Sequence, residues 1–398
     1  MFMMALVQAL QALAVDAMLP ALGDMARDLH VTDPNHRQYV IGLFMLGIGL
    51  GALIPGTLAD RFGRRKVLLW TLGLYVVLTL VCGIAASFNL LLAARVIQGV
   101  VCAGLAVIPV AIIRDRFEGD RMARLQSMIS VIFLCVPMLA PSIGQAIMLF
   151  AGWREIFHFM ALLGVGMGIW VWLRLPESLH PDYRQAINPR AIATNMVATI
   201  TNRASIGYVL ASACVLGVMW GYIQSSQQLV GEHFGAGPLF PVLFGGMALA
   251  MSLGNFFNSR IVEKFGARRV SHTALFAYLS LATLHVWLAY GDGETLWQFV
   301  PAMTLTMTLM GFMGANFASI ALQPFARIAG SAASVQTFIR LIAGSVFGAI
   351  VGQSYDQTAR PFAYALVLAG IAALLLVLFS ERGKLFRRLY PAGVARPT

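Results

Sequence analysis

Asp16 lies in the apolar run Val15-Asp16-Ala17-Met18-Leu19-Pro20-Ala21, and of the 17 acids in the chain it alone sits well inside such a run. Arg95 lies in a second run, within Arg95-Val96-Ile97-Gln98-Gly99. A carboxyl group in an apolar surround is costly, so its presence there marks a functional position. Burial favours the neutral acid, a nearby guanidinium favours the carboxylate, and the balance changes when water enters or leaves. Such a pair can take up a proton on one side of a barrier and release it on the other. The structural alternative is a static ion pair that fixes helix packing, but buried pairs are poor sources of net stability.

A different chemistry is concentrated in Gly56-Thr57-Leu58-Ala59-Asp60-Arg61-Phe62-Gly63-Arg64-Arg65-Lys66, between two long apolar runs. Its charges exclude it from hydrocarbon, so the stretch is expected as a loop at a membrane surface. An excess of Lys and Arg in a short loop places it on the cytoplasmic side. Gly56 and Gly63 suit a tight turn, because glycine adopts backbone conformations closed to other residues. A second version, Glu263-Lys264-Phe265-Gly266-Ala267-Arg268-Arg269, follows half a chain later. Its recurrence implies two related halves.

The elements that carry these groups follow from composition. The 398 residues are 59% hydrophobic and 11% charged, with a mean hydropathy of +0.77. A soluble domain carries about 25% charged residues, so this chain belongs in lipid. Spanning structures there are helices or closed barrels, and apolar runs of about 20 residues without alternation select helices. Twelve spans are expected, at 3–22, 38–58, 67–86, 90–113, 124–150, 156–175, 205–228, 239–260, 270–290, 297–320, 332–354 and 361–380. On that assignment Asp16 is ~9 Å and Arg95 ~8 Å from the outer ends of their spans, at 1.5 Å rise per residue. The two share a depth. Residues 1–175 form an N-terminal six-helix bundle, 176–204 a cytoplasmic linker rich in proline, 205–380 a C-terminal six-helix bundle and 381–398 a cytoplasmic tail with Arg382, Lys384, Arg387 and Arg388.

The net charge of +11 would suggest nucleic acid in a soluble protein, but its placement is a topology signal. Arg27, Arg37, Arg154 and Arg360 fall outside, Arg95 and Arg340 inside spans, and the rest of the Lys and Arg on the cytoplasmic side. Both termini are then cytoplasmic. Cys82, Cys102, Cys135 and Cys214 lie in apolar runs without metal-like spacing, so neither a disulfide framework nor a metal is expected. The start lacks a basic n-region and a small-residue cleavage site, which reads as a retained first span with little or nothing before it rather than a signal peptide.

The first basic stretch resembles motif A of the major facilitator superfamily, G-x-x-x-D-R-x-G-R-R, at Gly56, Asp60, Arg61, Gly63, Arg64 and Arg65. Leu175-Pro176-Glu177-Ser178 resembles the signature that ends span six there, and Arg95-Val96-Ile97-Gln98-Gly99 resembles motif B of proton-driven drug exporters. Pro137-Met138-Leu139-Ala140-Pro141-Ser142-Ile143-Gly144 is similar to the antiporter motif C, with Ala140 in place of the usual glycine; Pro137 and Pro141 should kink the span. Gly348 to Asp356 and Asp16 to Ala21 resemble segments of the Bcr/CflA-type drug:proton antiporters, with Ala17 and Met18 departing from their pattern. The resemblance implies the all-α major facilitator fold, twelve transmembrane helices in two six-helix repeats. It implies that Arg95 takes part in proton coupling and that Gln98 faces the cavity. It also implies a latch in which Asp115 pairs with Arg61 and Arg64 while Asp60 caps span eleven near Gly330 to Ser334. The second basic stretch, with Ala267 for the first arginine, should latch more weakly.

Gln224, Asn316, Gln336 and Arg340 are further polar groups in spans, each readable as a substrate contact or as glue between helices. Arg340, ~12 Å from the inner end of span eleven, suits an anionic or polar substrate group, or a carbonyl partner. His158, His272 and His285 stand isolated in spans and read as packing residues. No Ser-His-Asp, metal or phosphate-loop constellation is present, so an enzyme is not expected, no cofactor is implied and ATP is not the energy source. The reading is a monomeric, multi-pass transporter of the bacterial inner (plasma) membrane. It exports small drug-like compounds in exchange for protons by alternating access; its partners are the substrate, protons and the lipid bilayer, not nucleic acid. An exporter of a sugar, nucleoside or other metabolite on the same fold is the alternative.

Overall fold

The computed structural model describes residues 2–117, 119–180, 182, 189–291 and 294–387. Among these residues every regular element is helical, and ten helices are long and apolar enough to cross a membrane, with one bent pair as an eleventh. The chain divides into two compact units, residues 1–189 with 238–245 and residues 190–237 with 246–398. The end of the basic tail expected to carry Arg388, and most of the linker between Ser178 and Pro189, lie outside the described residues.

The first unit holds α1 (Phe2–Asp16), α2 (Leu22–Asp28), α3 (Tyr39–Gly51), α4 (Ile54–Phe62), α5 (Arg64–Gly83), α6 (Phe88–Arg116), α7 (Gly119–Phe150) and α8 (Arg154–Arg174). The expected first span is longer and broken. α1 stops at Asp16, a 3-10 turn covers Leu19–Ala21, and α2 carries the apolar stretch on to Asp28. Pro20 cannot donate the next helical hydrogen bond, which accounts for the break. Asp16 is therefore ~18 Å, not ~9 Å, from the end of the stretch at the helical rise.

The second span is also two pieces, bent by 44° between α3 and α4, with Pro55 at the start of α4. Gly56 to Phe62 is helix rather than loop, so only Gly63 turns the chain, with φ +100°. The fifth expected span is α7, which stays helical through Pro137 and Pro141 and whose apolar part is Cys135–Phe150.

The second unit holds α10 (Arg203–Ser226), α11 (Phe240–Phe265), α12 (Ala267–Tyr290), α13 (Leu296–Leu322), α14 (Ala329–Gln353) and α15 (Arg360–Glu381); the first turns of α11 are grouped with the first unit. The linker, expected as loop, contains α9 (Pro189–Thr201), and a proline at the first helical position is preorganised to start one. Three helix starts are capped by side chains: Ser87 accepts from Leu90 N, Asn202 from Ser205 N, and Thr295 with Gln298 forms a capping box. α10 ends in a π-helical turn over Gln227–His233.

Outward faces are apolar, with Leu162, Trp172, Leu368 and Leu375 all exposed, as hydrocarbon requires. Inside the first unit, α3 and α6 touch backbone to backbone. A Cβ on Gly47 would strike the Val96 carbonyl oxygen, and one on Gly99 the Phe44 carbonyl oxygen. Small residues permit this approach between membrane helices. Gly99→Val should therefore lower the apparent unfolding temperature in detergent, an overpacking cost of roughly 1–3 kcal/mol or more. Scanning fluorimetry of the purified variant checks this, and an unchanged transition would refute the contact.

Candidate functional site

Arg95 and Gln98 lie three residues apart, so they share one face of α6. Both are fully buried. The Arg95 guanidinium donates from Nε to the Val40 carbonyl (2.9 Å), from one amino group to the Ala14 carbonyl (3.0 Å) and from the other to Gln98 Oε1 (2.7 Å). Its carbon stands 4.0 Å from the centre of the Phe44 ring. Gln98 in turn donates to Thr79 Oγ1 at 2.7 Å, and Thr79 to the Tyr75 carbonyl at 2.6 Å. One cation thus ties α6 to α1 and α3, and Gln98 ties it to α5. Gln98 is a brace between helices, not the cavity-facing group expected of it.

The Ala14 carbonyl is among the last four of α1, which have no partner within their own helix. Arg95 satisfies it from outside, and a cation is favoured at the negative end of a helix dipole. Asp16 lies two residues on and is 5% exposed. The expected Asp16–Arg95 ion pair is not formed: each guanidinium nitrogen donates to a carbonyl oxygen instead. Among the described residues no hydrogen bond or ion pair reaches the Asp16 carboxyl. On the other side of the break Gly144, from the motif C segment of α7, presses on Ala17: a Cβ there would strike the Ala17 carbonyl oxygen and lie 3.3 Å from Pro20 Cγ. Asp16, Arg95 and Gly144 are therefore brought together at one backbone break, whereas Pro137 has no described contact with it.

The basic stretch forms a second cluster. Arg64 is buried and binds two acids, Asp60 at 2.5 Å and Asp115 at 3.0 Å. Arg61 does not pair with Asp115 as expected; it sits over the Phe62 ring at 5.2 Å. Asp60 and Arg61 belong to the last turn of α4, whereas Arg64 begins α5 beyond the turn at Gly63, and it is Arg64 that meets both acids. The residue missing from the sequence reading is Glu177. Its carboxylate accepts from the backbone N–H of Arg64 (2.8 Å) and of Arg65 (3.2 Å) at the start of α5, where the helix dipole favours an anion. A Cβ on Gly63 would lie 2.5 Å from Glu177 Oε2. Arg65 also donates to the Trp172 carbonyl (2.7 Å), Ser178 to Asp115 (3.2 Å) and Arg116 to the Pro176 carbonyl (2.7 Å). Its sequence signal is Leu175-Pro176-Glu177-Ser178, which marks an end of a span but not the helix start that the acid serves.

In the second unit Gly266, at φ +87°, likewise begins α12. Arg268 pairs with Glu381 at 2.6 Å and donates to Gln323 at 2.7 Å. Tyr208 donates to Glu381 at 2.8 Å and contacts His272 Nε2 at 3.0 Å. The acid of this cluster comes from α15 rather than from Glu263, and the pair is largely buried. The histidines are not isolated either: His158 meets Glu155 at 3.1 Å and His285 meets Thr306 at 3.3 Å.

Asn316 donates to Asn258 at 3.0 Å, and Gln336 to Ser205 (3.0 Å) and the Ala321 carbonyl (2.9 Å), which makes them interhelical braces. Gln224 is buried with neither amide atom partnered in the structure. Arg340 and Gln336 come together at a cavity between α10, α13 and α14, lined also by Ser212 and Thr337.

A helical membrane protein with two units and charged clusters at the starts of α5 and α12 has the attributes of a transporter. The profile of the Major Facilitator Superfamily matches residues 4–349, and the chain belongs to that superfamily. It is 30% identical over 381 residues to the uncharacterized MFS-type transporter YdgK of Bacillus subtilis, covering 94% of this chain and 93% of the relative. It is 26% identical over 367 residues to the bicyclomycin resistance protein homolog of Haemophilus influenzae, covering 92% of each. A crystal structure of a bacterial homolog to the human lysosomal transporter Spinster superposes with a TM-score of 0.72 at 15% identity, covering 96% of this chain and 94% of that one; this likeness concerns the fold alone.

Arg64→Lys keeps the charge but loses the planar fork that serves two acids. It should lower the unfolding temperature in detergent, by the roughly 1–3 kcal/mol of a charge-assisted bond, while Arg61→Lys leaves it nearly unchanged. Equal shifts, or a larger one for Arg61→Lys, would reverse the assignment.

Proposed function

We propose that the chain is a secondary active transporter that exports small drug-like compounds in exchange for protons, with Asp16 as the proton carrier. The observation that supports it is a buried carboxyl with no described partner, placed where α1 breaks and Arg95 holds the last turn. A carboxyl in a dry apolar surround is stable neutral, and admission of water stabilises its charged form. A conformational change that wets and dries the break would load and unload one proton. Arg95 is then a positioning residue: it fixes the carbonyl beside Asp16 and leaves the carboxyl for the proton. The names of curated relatives, a bicyclomycin resistance protein homolog and the multidrug resistance protein MdtL of Escherichia coli, favour drug-like compounds as substrates.

In this reading the two repeats, 1–175 and 205–380, alternate access in the bacterial inner membrane, both termini are cytoplasmic and the monomer is the working unit. Asp60 and Asp115 hold Arg64 in one conformation and exchange partners in the other, which biases a two-state equilibrium. Asp60 is the acid that reaches the start of span eleven when the gate shuts.

Inverted vesicles with a respiration-driven proton gradient test the coupling. Addition of a panel of cationic and neutral antibacterials should dissipate the gradient with the wild-type protein. Asp16→Asn should remove the response while the protein stays folded and monodisperse. Arg95→Lys should reduce it at least tenfold, because an ammonium cannot serve Ala14, Val40 and Gln98 together. A wild-type response that persists in Asp16→Asn would move the proton to another group.

Asp60→Asn should slow uptake of the same compounds into these vesicles by tenfold or more with little change in unfolding temperature. Transport at the wild-type rate would remove Asp60 from the gate.

A further inference from the structure

The two arginines inside the spans are treated differently, Arg95 being fully buried and Arg340 half-buried. Arg95 is bonded to three oxygen acceptors and an aromatic face. Arg340 has a buried Nε without a partner, and among the described residues no hydrogen bond or ion pair reaches its guanidinium. It lies eleven residues into α14, ~16 Å along the helix axis. That is too deep for a side chain to snorkel to the headgroups. A donor shut away from water without an acceptor, as Arg340 Nε is, is costly, so this cation is placed for something that arrives.

Its surroundings specify what. The Gln336–Ser205 bond sets α14 and α10 in parallel register. One turn further along, Arg340 faces the same cavity as Ser212. Ser212 is 3% exposed, and its Oγ has no hydrogen-bond partner. Thr337 adds a second hydroxyl to the lining; Val209, Ala318 and Ala321 supply apolar wall, and no carboxylate is among the lining residues. The cavity volume is about 60 Å³, room for a carboxylate group but not for the ring that bears it. Planar oxyanions match the guanidinium fork, and a hydroxyl beside it adds a third donor.

We propose that this cavity binds the carboxylate of an organic substrate, held by Arg340 and Ser212, so that acidic aromatic compounds are among those the chain transports. The proposal rests on the transport reading above for the fate of the compound, but the site itself is tested by binding alone.

Full-length protein in lipid nanodiscs is titrated at constant ionic strength with 2-naphthoate and with its neutral isostere 2-naphthamide. Naphthoate should bind at least tenfold more tightly to the wild type. Arg340→Gln should abolish that preference, Arg340→Lys should keep part of it, and Ser212→Ala should weaken naphthoate roughly threefold. Ligand-free unfolding temperatures and elution profiles confirm that each variant is folded; should Arg340→Gln fail this control, Arg340→Lys and Ser212→Ala carry the test. Equal affinity of the wild type for both compounds, or an undiminished preference in the folded arginine variants, overturns the site. Competition by sodium sulfate as effective as naphthoate would reduce it to an inorganic-anion site and overturn an organic substrate. No proton gradient enters these measurements. Intact naphthoate preference without gradient dissipation in the vesicles would therefore sink the coupling and leave the site standing.

Discussion

In hydrocarbon, a carbonyl that has lost its helical partner cannot turn to water, and the bond from Arg95 to the Ala14 carbonyl answers that constraint. Pro20 ends α1 early, so the last turn of the helix exposes acceptors inside the membrane. The guanidinium supplies a donor from α6 and reaches α3 through Val40 at the same time. The cost of burying the cation and the cost of breaking the helix offset each other. What remains unmatched among the described residues is the Asp16 carboxyl.

The same economy governs the cytoplasmic clusters, with the signs inverted. The start of α5 presents free N–H groups, and Glu177 fills them. Arg64 adds a side-chain link from that helix start to Asp60 and Asp115. The second unit solves a related problem with other residues, drawing its acid from the end of α15 and enlisting Tyr208. Related halves have kept the glycine turn and an arginine near it while changing the partners.

Much of this was legible beforehand. The class, the helical spans, the repeat of the basic stretch and the presence of charges at Asp16, Arg95 and Arg64 follow from charges set against long apolar runs. Sequence spacing gives depth along a helix, however, and not the direction in which a side chain points. Counting along the spans puts Asp16 and Arg95 at one level and suggests a pair, yet the guanidinium is captured by backbone oxygens, which no residue type records. Arg61 and Arg64 look equivalent in the motif, and only the turn at Gly63 separates them, leaving Arg61 on α4 and Arg64 on α5. Glu177 escaped notice because a helix-capping role depends on which helix starts nearby. Gln98, Asn316 and Gln336 became braces for the same reason: a polar side chain between helices takes whichever partner the packing provides.

The contact between α3 and α6 at Gly47 and Gly99 carries a lesson for anyone charting which positions tolerate change. Backbone meets backbone there, so every side chain larger than hydrogen is refused. A comprehensive survey of variants would show a sharp stripe of failure at helical intervals, as severe as at any charged residue. Gly99 is the neighbour of Gln98 and lies one turn from Arg95, so the stripe would run beside the buried arginine and look like part of its chemistry. Sensitivity to substitution on that face measures how near two chains lie, and it would mislead a search for the groups that handle protons.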